Sequence, residues 1–290
     1  MKQIEEMQYH LMFHKEGYKN HYNMPLKKNV RLGSFRMRID RTKAMAAFEE
    51  YTSHYDISDE KIRLKIEHTK RVNQLCEQIA IGIGLEEENI DIAWLLGLLH
   101  DVGRFEQIKR YGTFKDSESV DHANFGADIL FVDGKIRDYI EDASEDALLE
   151  LAIRAHSAYR IPEGLSERAQ MFCNILRDAD KIDIIRVNTE FPLEEVYNVT
   201  TEELETAAIT PAVMESFYEE HAVLRSLKKT PADHVVGHVS LVYELVYPVS
   251  VRIMKEQGFI EKLMDFQSRN PATIRQMEEI RGYLQKYLEK

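Results

Sequence analysis

Apolar residues along this chain recur at helical spacing over most of its length. Leu64, His68, Val72, Leu75 and Ile79 follow one another at intervals of four, four, three and four. That interval predicts one face of a helix from about Asp59 to Ile81, with His68 as a polar residue on the apolar stripe. The turn Gly82-Ile83-Gly84 ends it. A second helix is expected over Asp91–Asp101. Its run Ile92-Ala93-Trp94-Leu95-Leu96-Gly97-Leu98-Leu99 is apolar on every side, which predicts burial on every side. It closes on His100-Asp101, and Gly103 is expected to take the left-handed position that commonly ends a helix.

The pattern elsewhere predicts more helices and no strands. A short helix covers Thr42 to about His54. Residues 104–120, with Tyr111-Gly112-Thr113-Phe114, read as a polar loop. Ser119 or Asp121 caps a helix that starts near His122. A long amphipathic helix follows around Ser144 to His156 and is broken by Ile161-Pro162-Glu163-Gly164. Ser166 and Glu167 open another, which carries Cys173, Leu176, Asp180, Asp183 and Ile184 on related faces. Beyond Phe191, helix starts are marked by proline after a cap: Thr210-Pro211, Thr230-Pro231 and Asn270-Pro271. Thr230-Pro231-Ala232-Asp233 is an acidic variant of a capping box. The expected fold is all-α, a helical bundle with additional C-terminal helices. Three regions are expected: a poorly ordered extension over 1–36, a helical core over 37–190, and a helical region over 191–290 packed on that core. Met37 is an alternative start.

Composition narrows the function classes. A chain of 290 residues, 44% hydrophobic, can bury a sizeable core. The net charge of −12 argues against a nucleic-acid polymer as partner. It leaves room for a small phosphorylated substrate, because a divalent metal supplies positive charge locally. No stretch reaches the length of apolar sequence a membrane span needs, and the first residues have no signal-peptide pattern. Cys76 and Cys173 form no paired motif and are read as reduced and buried. A cytoplasmic protein without membrane attachment is the expectation.

The candidate chemistry lies at helix ends. His68, His100, Asp101, His122, His156 and Asp180 fall on or beside successive helices. Adjacent side chains on a helix diverge by about 100°, so His100 and Asp101 can straddle an ion beyond the helix end. Imidazole and carboxylate together suit divalent Fe, Mn, Ni, Co or Zn. Six ligands exceed what one catalytic ion needs, so two ions with Asp101 between them are favoured over one.

These residues resemble the HD-domain superfamily of metal-dependent phosphohydrolases, named for its adjacent His-Asp pair. The resemblance runs from about His68 to Asp183. It rests on Glu67-His68-Thr69-Lys70-Arg71-Val72, on Leu98-Leu99-His100-Asp101-Val102-Gly103-Arg104, and on Asp178-Ala179-Asp180-Lys181. It implies His68, His100, Asp101 and Asp180 as metal ligands. In two-metal members, two further histidines are added, here His122 in Asp121-His122-Ala123 and His156 in Arg154-Ala155-His156. Gly103-Arg104-Phe105 replaces the acidic pair of the guanosine tetraphosphate hydrolases. His156-Ser157-Ala158-Tyr159 lacks the paired histidine of the cyclic-dinucleotide phosphodiesterases. Neither specific activity is therefore implied.

The resemblance implies hydrolysis of a phosphomonoester or phosphodiester in a small phosphorylated or nucleotide substrate. Asp101, Arg104 and Lys181 are the expected catalytic residues, the two cations facing phosphate. Two alternatives remain: a di-iron oxygenase of the same superfamily, and a non-catalytic nucleotide-binding regulatory module. Asp178 and Asp183 compete with Asp180 for the last ligand position, and Asp183 is expected to orient a ligand or water. His234 and His238, one turn apart, are expected to lie on a solvated helix face. Tyr218, Tyr243 and Tyr247 are aromatic candidates to line a pocket, with core packing the expected role of each. The sequence does not fix the oligomeric state.

Overall fold

Three long helices cross at the centre of the molecule. The computed structural model describes residues 39–197 and 199–289. The extension expected over 1–36 lies outside them, as do His10, His14 and His21. The chain enters through helix α1 (Arg41–Ser53), capped by the Asp40 carboxylate. Helix α2 (Glu60–Gly82) follows, and its cap is Asp59, which accepts from the Lys61 backbone N–H. The stripe read from the sequence is its buried face, with His68, Val72, Leu75 and Ile79 all inside.

Helix α3 (Glu87–Leu99) begins earlier than the expected Asp91. Glu87 and Glu88 in its first turn complement the positive end of the helix dipole. From Ile92 to Leu99 every residue is buried, as an all-apolar helix requires. It crosses α2 at close range. A Cβ added at Gly97 would sit 2.5 Å from the Asn73 Cα, so only glycine allows this approach. The Asn73 amide donates to the Trp94 carbonyl at 2.7 Å and fixes the crossing.

Residues 104–120 correct the sequence expectation. Val102–Tyr111 is helix α4, and Gly112, at φ 69°, ends it in the left-handed conformation. Gly103 is helical and does not carry that role. Its need is space: an added Cβ would lie 2.4 Å from the His122 carbonyl oxygen and 2.6 Å from the Gly126 nitrogen. The bulk of polar residues hid a narrow apolar face of Val102, Phe105 and Ile108, all buried.

Asp121 caps the short helix α5 (His122–Ala127). A π-helical turn at Asp128–Val132 follows, then α6 (Ile136–Tyr139) and α7 (Asp146–Ala155). Helix α8 (Glu167–Glu190), capped by Ser166, is the third long helix. Beyond it come α9 (Leu193–Tyr197), α10 (Thr201–Thr206), α11 (Pro211–Tyr218), α12 (Pro231–Val239), α13 (Pro248–Gln257), α14 (Phe259–Met264) and α15 (Pro271–Leu288). Proline stands in the first turn of α11, α12 and α15 as expected, and of α13 as well. The Thr230–Asp233 capping box forms. No strand occurs among the described residues, and the fold is all-α. Among the described residues, no helix is long and apolar enough to cross a membrane. Both cysteines are free and buried.

Helix α8 ties the later helices to the earlier ones. The buried Asp178 carboxylate accepts from the Val246 and Tyr247 backbone N–H groups at 3.0–3.1 Å, just before α13. Arg177 donates to the carbonyls of Ala155, His156 and Ala158, so its guanidinium satisfies the C-terminal end of α7. Asp178 is therefore a structural clamp, and its position removes it from the competition with Asp180.

Candidate metal centre

Four helix ends and two long helices bring the six residues together. His100 is the C-terminal cap of α3 and Asp101 stands at the N-terminal cap of α4, so one junction supplies both. Asp101 makes no capping bond, which leaves its carboxylate for the interior. His122 opens α5 and His156 closes α7. His68 and Asp180 come from the middle of α2 and α8. All four histidines and Asp101 are buried.

Two triads result: His68, His100 and Asp180, and Asp101, His122 and His156. In each, the possible ligand atoms lie within 4.8 Å of one another. Asp101 reaches both sides. Its Oδ2 is 3.5 Å from the Nε2 of His68 and of His100. Its Oδ1 is 3.6 Å from His122 Nε2 and 3.7 Å from His156 Nε2. Asp180 Oδ1 lies 3.2 Å from His68 Nε2 and 3.8 Å from His100 Nε2.

The tautomers follow from the partners. His68 Nδ1 donates to Asp183 Oδ2 at 2.6 Å, and His122 Nδ1 to Asp116 Oδ2 at 2.7 Å. His100 Nδ1 donates to the Gly97 carbonyl at 2.8 Å, and His156 Nδ1 to the Ile153 carbonyl at 2.6 Å. Each partner accepts only, so in the neutral ring every Nδ1 carries the proton and every Nε2 presents a lone pair. Those lone pairs face each other at 3.3 Å between His68 and His100 and at 3.1 Å between His122 and His156. Facing lone pairs beside two carboxylates repel, and a cation between them removes the repulsion. The donor set fits one or two divalent ions held by imidazole and carboxylate.

The electrostatics point the same way. Burial would raise the Asp101 carboxyl. Lys65 first, then His100, His156 and Arg104, hold it well below the usual carboxylate range. Asp180 is also held low against burial, chiefly by the hydrogen bond with His68 and the nearby imidazoles. Burial pushes His100 and His122 down to about 4, so both are neutral near pH 7. His68 is pulled down by burial and Lys65, yet hydrogen bonds with Asp180 and Asp183 raise it above its ordinary value.

Arg104 and Lys181 take different places. The Arg104 guanidinium donates to Gln107 Oε1, the Phe114 carbonyl and Asp116 Oδ1 at 2.7–2.8 Å, and so anchors the loop after α4. Its Nε is buried without a hydrogen-bond partner, 3.7 Å from Asp101 Oδ1. Lys181 is buried one position after Asp180, and burial pushes its ammonium down to about 8. Among the described residues, its Nζ has only the Arg177 carbonyl, at 3.4 Å.

Three neighbours escaped the sequence reading. Lys65 Nζ donates to Asp101 Oδ2 at 2.7 Å, the closest cation to either triad. Its signal was available, since position 65 lies one turn before His68 on the same helix face. Phe114 lies beneath two cations, 5.5 Å from Lys65 Nζ and 5.7 Å from the Arg104 guanidinium carbon. Asp116 orients His122 and joins Arg104 to it, from a loop with no periodicity to mark it. Asp183 has the orienting geometry expected of it, and Arg71 holds its carboxylate through two bonds at 2.6 and 3.0 Å.

Compared with known families, residues 66–186 match the HD domain. No curated protein and no solved structure matches the chain. The matched span contains both triads and the His-Asp junction between them. Residues 66–186 of this chain are an HD domain.

Proposed function

We infer that the chain is a metal-dependent phosphohydrolase acting on a small phosphorylated substrate such as a nucleotide. One observation carries the reading. The two oxygens of Asp101 face different histidine pairs, so a single buried carboxylate spans two ligand triads. His68, His100 and Asp180 would hold one ion, His122 and His156 the other, and Asp101 would bridge them. Bound there, divalent ions would supply a Lewis-acidic centre that activates water near neutral pH and offsets charge on phosphoryl oxygens.

The chain's own residues account for the rest. Asp183 and Asp116 fix the rings of His68 and His122, so the donor atoms need no reorganisation. Lys65, beside Asp101, contributes a cation where an anionic substrate would approach the bridging carboxylate. The unpartnered Arg104 Nε and the Lys181 ammonium supply further donors for phosphoryl oxygens, which carry the developing charge. The apolar packing of α3 behind the triads keeps the surroundings of low polarity and strengthens each of these interactions.

The test couples metal content to turnover. Elemental analysis of the purified protein should give near two divalent ions per chain. The loaded protein should release phosphate from a nucleotide or aryl phosphate panel, and Asp101→Ala should lose both ions and activity. Full turnover by metal-free Asp101→Ala protein overturns the reading. Oxygen uptake that requires reduced iron, with no phosphate release, replaces it with the oxygenase alternative.

A further inference from the structure

A second histidine cluster sits two helical turns along α8 from the metal centre. Asn188 follows Asp180 at about 12 Å along the axis and about 80° around it. The half-exposed Ile184 lies between them. The Asn188 amide donates to the Ile184 carbonyl at 2.8 Å, which fixes its orientation. Its Oδ1 accepts from the Tyr197 hydroxyl at 3.2 Å. The Tyr197 oxygen must then accept from His238 Nδ1, at 2.8 Å. That leaves His238 Nε2 without a proton in the neutral ring. Tyr197 stacks on both imidazoles, with centroids at 5.3 Å from His234 and 5.6 Å from His238. The two histidines are half-buried against an aromatic ring, which corrects the expectation of a solvated face.

Lysine lies across this pair. A Cβ added at Gly237 would come within 2.8 Å of Lys228 Cδ and 3.1 Å of its Nζ, so the lysine chain rests on the bare backbone between the histidines. Among the described residues, the ammonium has no hydrogen-bond or ion-pair partner. The carboxylate whose charge it feels is Asp233. Asp233 is fully buried, and its oxygens accept from the Thr210 N–H and hydroxyl and from the Lys229 and Thr230 N–H groups. It is occupied as a structural cap. Arg225, exposed and without a hydrogen-bond or ion-pair partner among the described residues, adds a second cation whose charge Lys228 feels. The Lys115 ammonium, one residue before the Asp116 that orients His122, is near enough to act on His234.

Cations around an aromatic ring suit an anion, not a second metal; burial and the same cations keep the His234 and His238 rings uncharged. Resting on the phosphohydrolase reading above, we propose that Lys228, Arg225 and His234 form a second anion site, which binds a distal phosphate or carboxylate of the substrate. The substrate class is then a small molecule with two anionic groups. One sits at the metal centre and the other beyond Tyr197, whose hydroxyl bonds Asn188 two helical turns along α8 from Asp180.

The test reads binding, not turnover. The metal-loaded full chain is titrated calorimetrically with alkyl phosphates from butyl to decyl and with the corresponding bisphosphates. The longer bisphosphates should bind about 10- to 100-fold tighter than monophosphates of equal length, as one charge-assisted contact provides. Arg225→Gln, at an exposed position, should bring that ratio towards one, as should Lys228→Met and His234→Ala. A ratio near one at every length in the parent protein overturns the proposal, as does a ratio that survives all three substitutions. A chain that keeps the bisphosphate preference but hydrolyses no phosphate ester sinks the hydrolase reading alone. If no metal binds, inorganic phosphate provides the readout. It should shift the His234 imidazole resonances in the parent and not in Lys228→Met, and an absence of shift in the parent overturns the site.

Discussion

The molecule contains two histidine clusters, and their partners give them opposite preferences. In the HD domain, four imidazoles turn their Nε2 atoms inward, and the carboxylates of Asp101 and Asp180 stand among them, with Lys65 against Asp101. Around α12, two imidazoles sit beside Lys228 and Arg225, and the nearby Asp233 is consumed by four donors. The same side chain would thus help build a cation site in one place and, in our proposal, border an anion site in the other. What decides is where the neighbouring carboxylate spends its lone pairs. Asp101 caps nothing at the start of α4, whereas Asp233 caps α12.

Removing the carboxylate that caps no helix should have the largest effect. Asp101→Ala should abolish metal binding in both triads and lower activity by at least about a thousandfold, measured by elemental analysis of dialysed protein and by phosphate release. Retention of one ion per chain would show that the two triads are independent. Gly103→Ala tests the backbone contact beneath the second triad. Its Cβ would meet backbone atoms that cannot swing away, so a loss of about 1–3 kcal/mol is expected in denaturant unfolding. Metal content should fall at the His122 and His156 side first.

Smaller changes should separate the triads. Asp183→Asn and Asp116→Asn each weaken the acceptor that fixes one histidine, and each should cost about 10- to 100-fold in metal affinity. The first should act on the His68 side and the second on the His122 side, read by competitive chelator titration. Identical titration curves for the two variants would erase the distinction. Adding divalent metal should raise the melting temperature of the parent protein by ligand linkage. It should not do so in Asp101→Ala, although that variant keeps His234 and His238.

The smallest effect concerns pH at the second cluster. Burial pushes Lys228 down to about 8 from its ordinary value of 10.5. Between those values the unfolded chain binds more protons than the folded one, so this residue adds a stability that grows as pH rises from about 8 to 10.5. Below pH 8 that contribution is absent. The melting temperature of the parent relative to Lys228→Met should therefore climb across this window. A flat difference would place the ammonium in water.

Much of the candidate centre is legible because four of its six residues sit where helices start or stop. His68 stood out as a polar residue on an apolar stripe, and His100-Asp101 as the end of a helix with no polar face. His122 and His156 fell beside caps. What stayed hidden depends on contacts distant in sequence. Asp116 and Lys65 gain their meaning only when the loop after α4 and the face of α2 meet at Asp101. Helix α4 was read as a loop because polar residues outnumber the Val102, Phe105 and Ile108 that bury it. Gly103 was assigned a turn because glycine usually serves a turn, whereas here it serves contact between two backbones. The histidines of α12 were read as solvated because Tyr197 and Lys228 reach them from other segments.

Helix α8 carries Asp178, Asp180 and Asn188 on one rigid rod. Asp178 grips the backbone before α13, Asp180 faces the histidines, and Asn188 steers Tyr197. The rod works as a camshaft: turning it by a fraction of a residue displaces three fittings at once, in fixed proportion. Wear at any one of them would be felt at the other two, so the C-terminal helices and the two histidine–aspartate triads share a single alignment and cannot drift out of step separately.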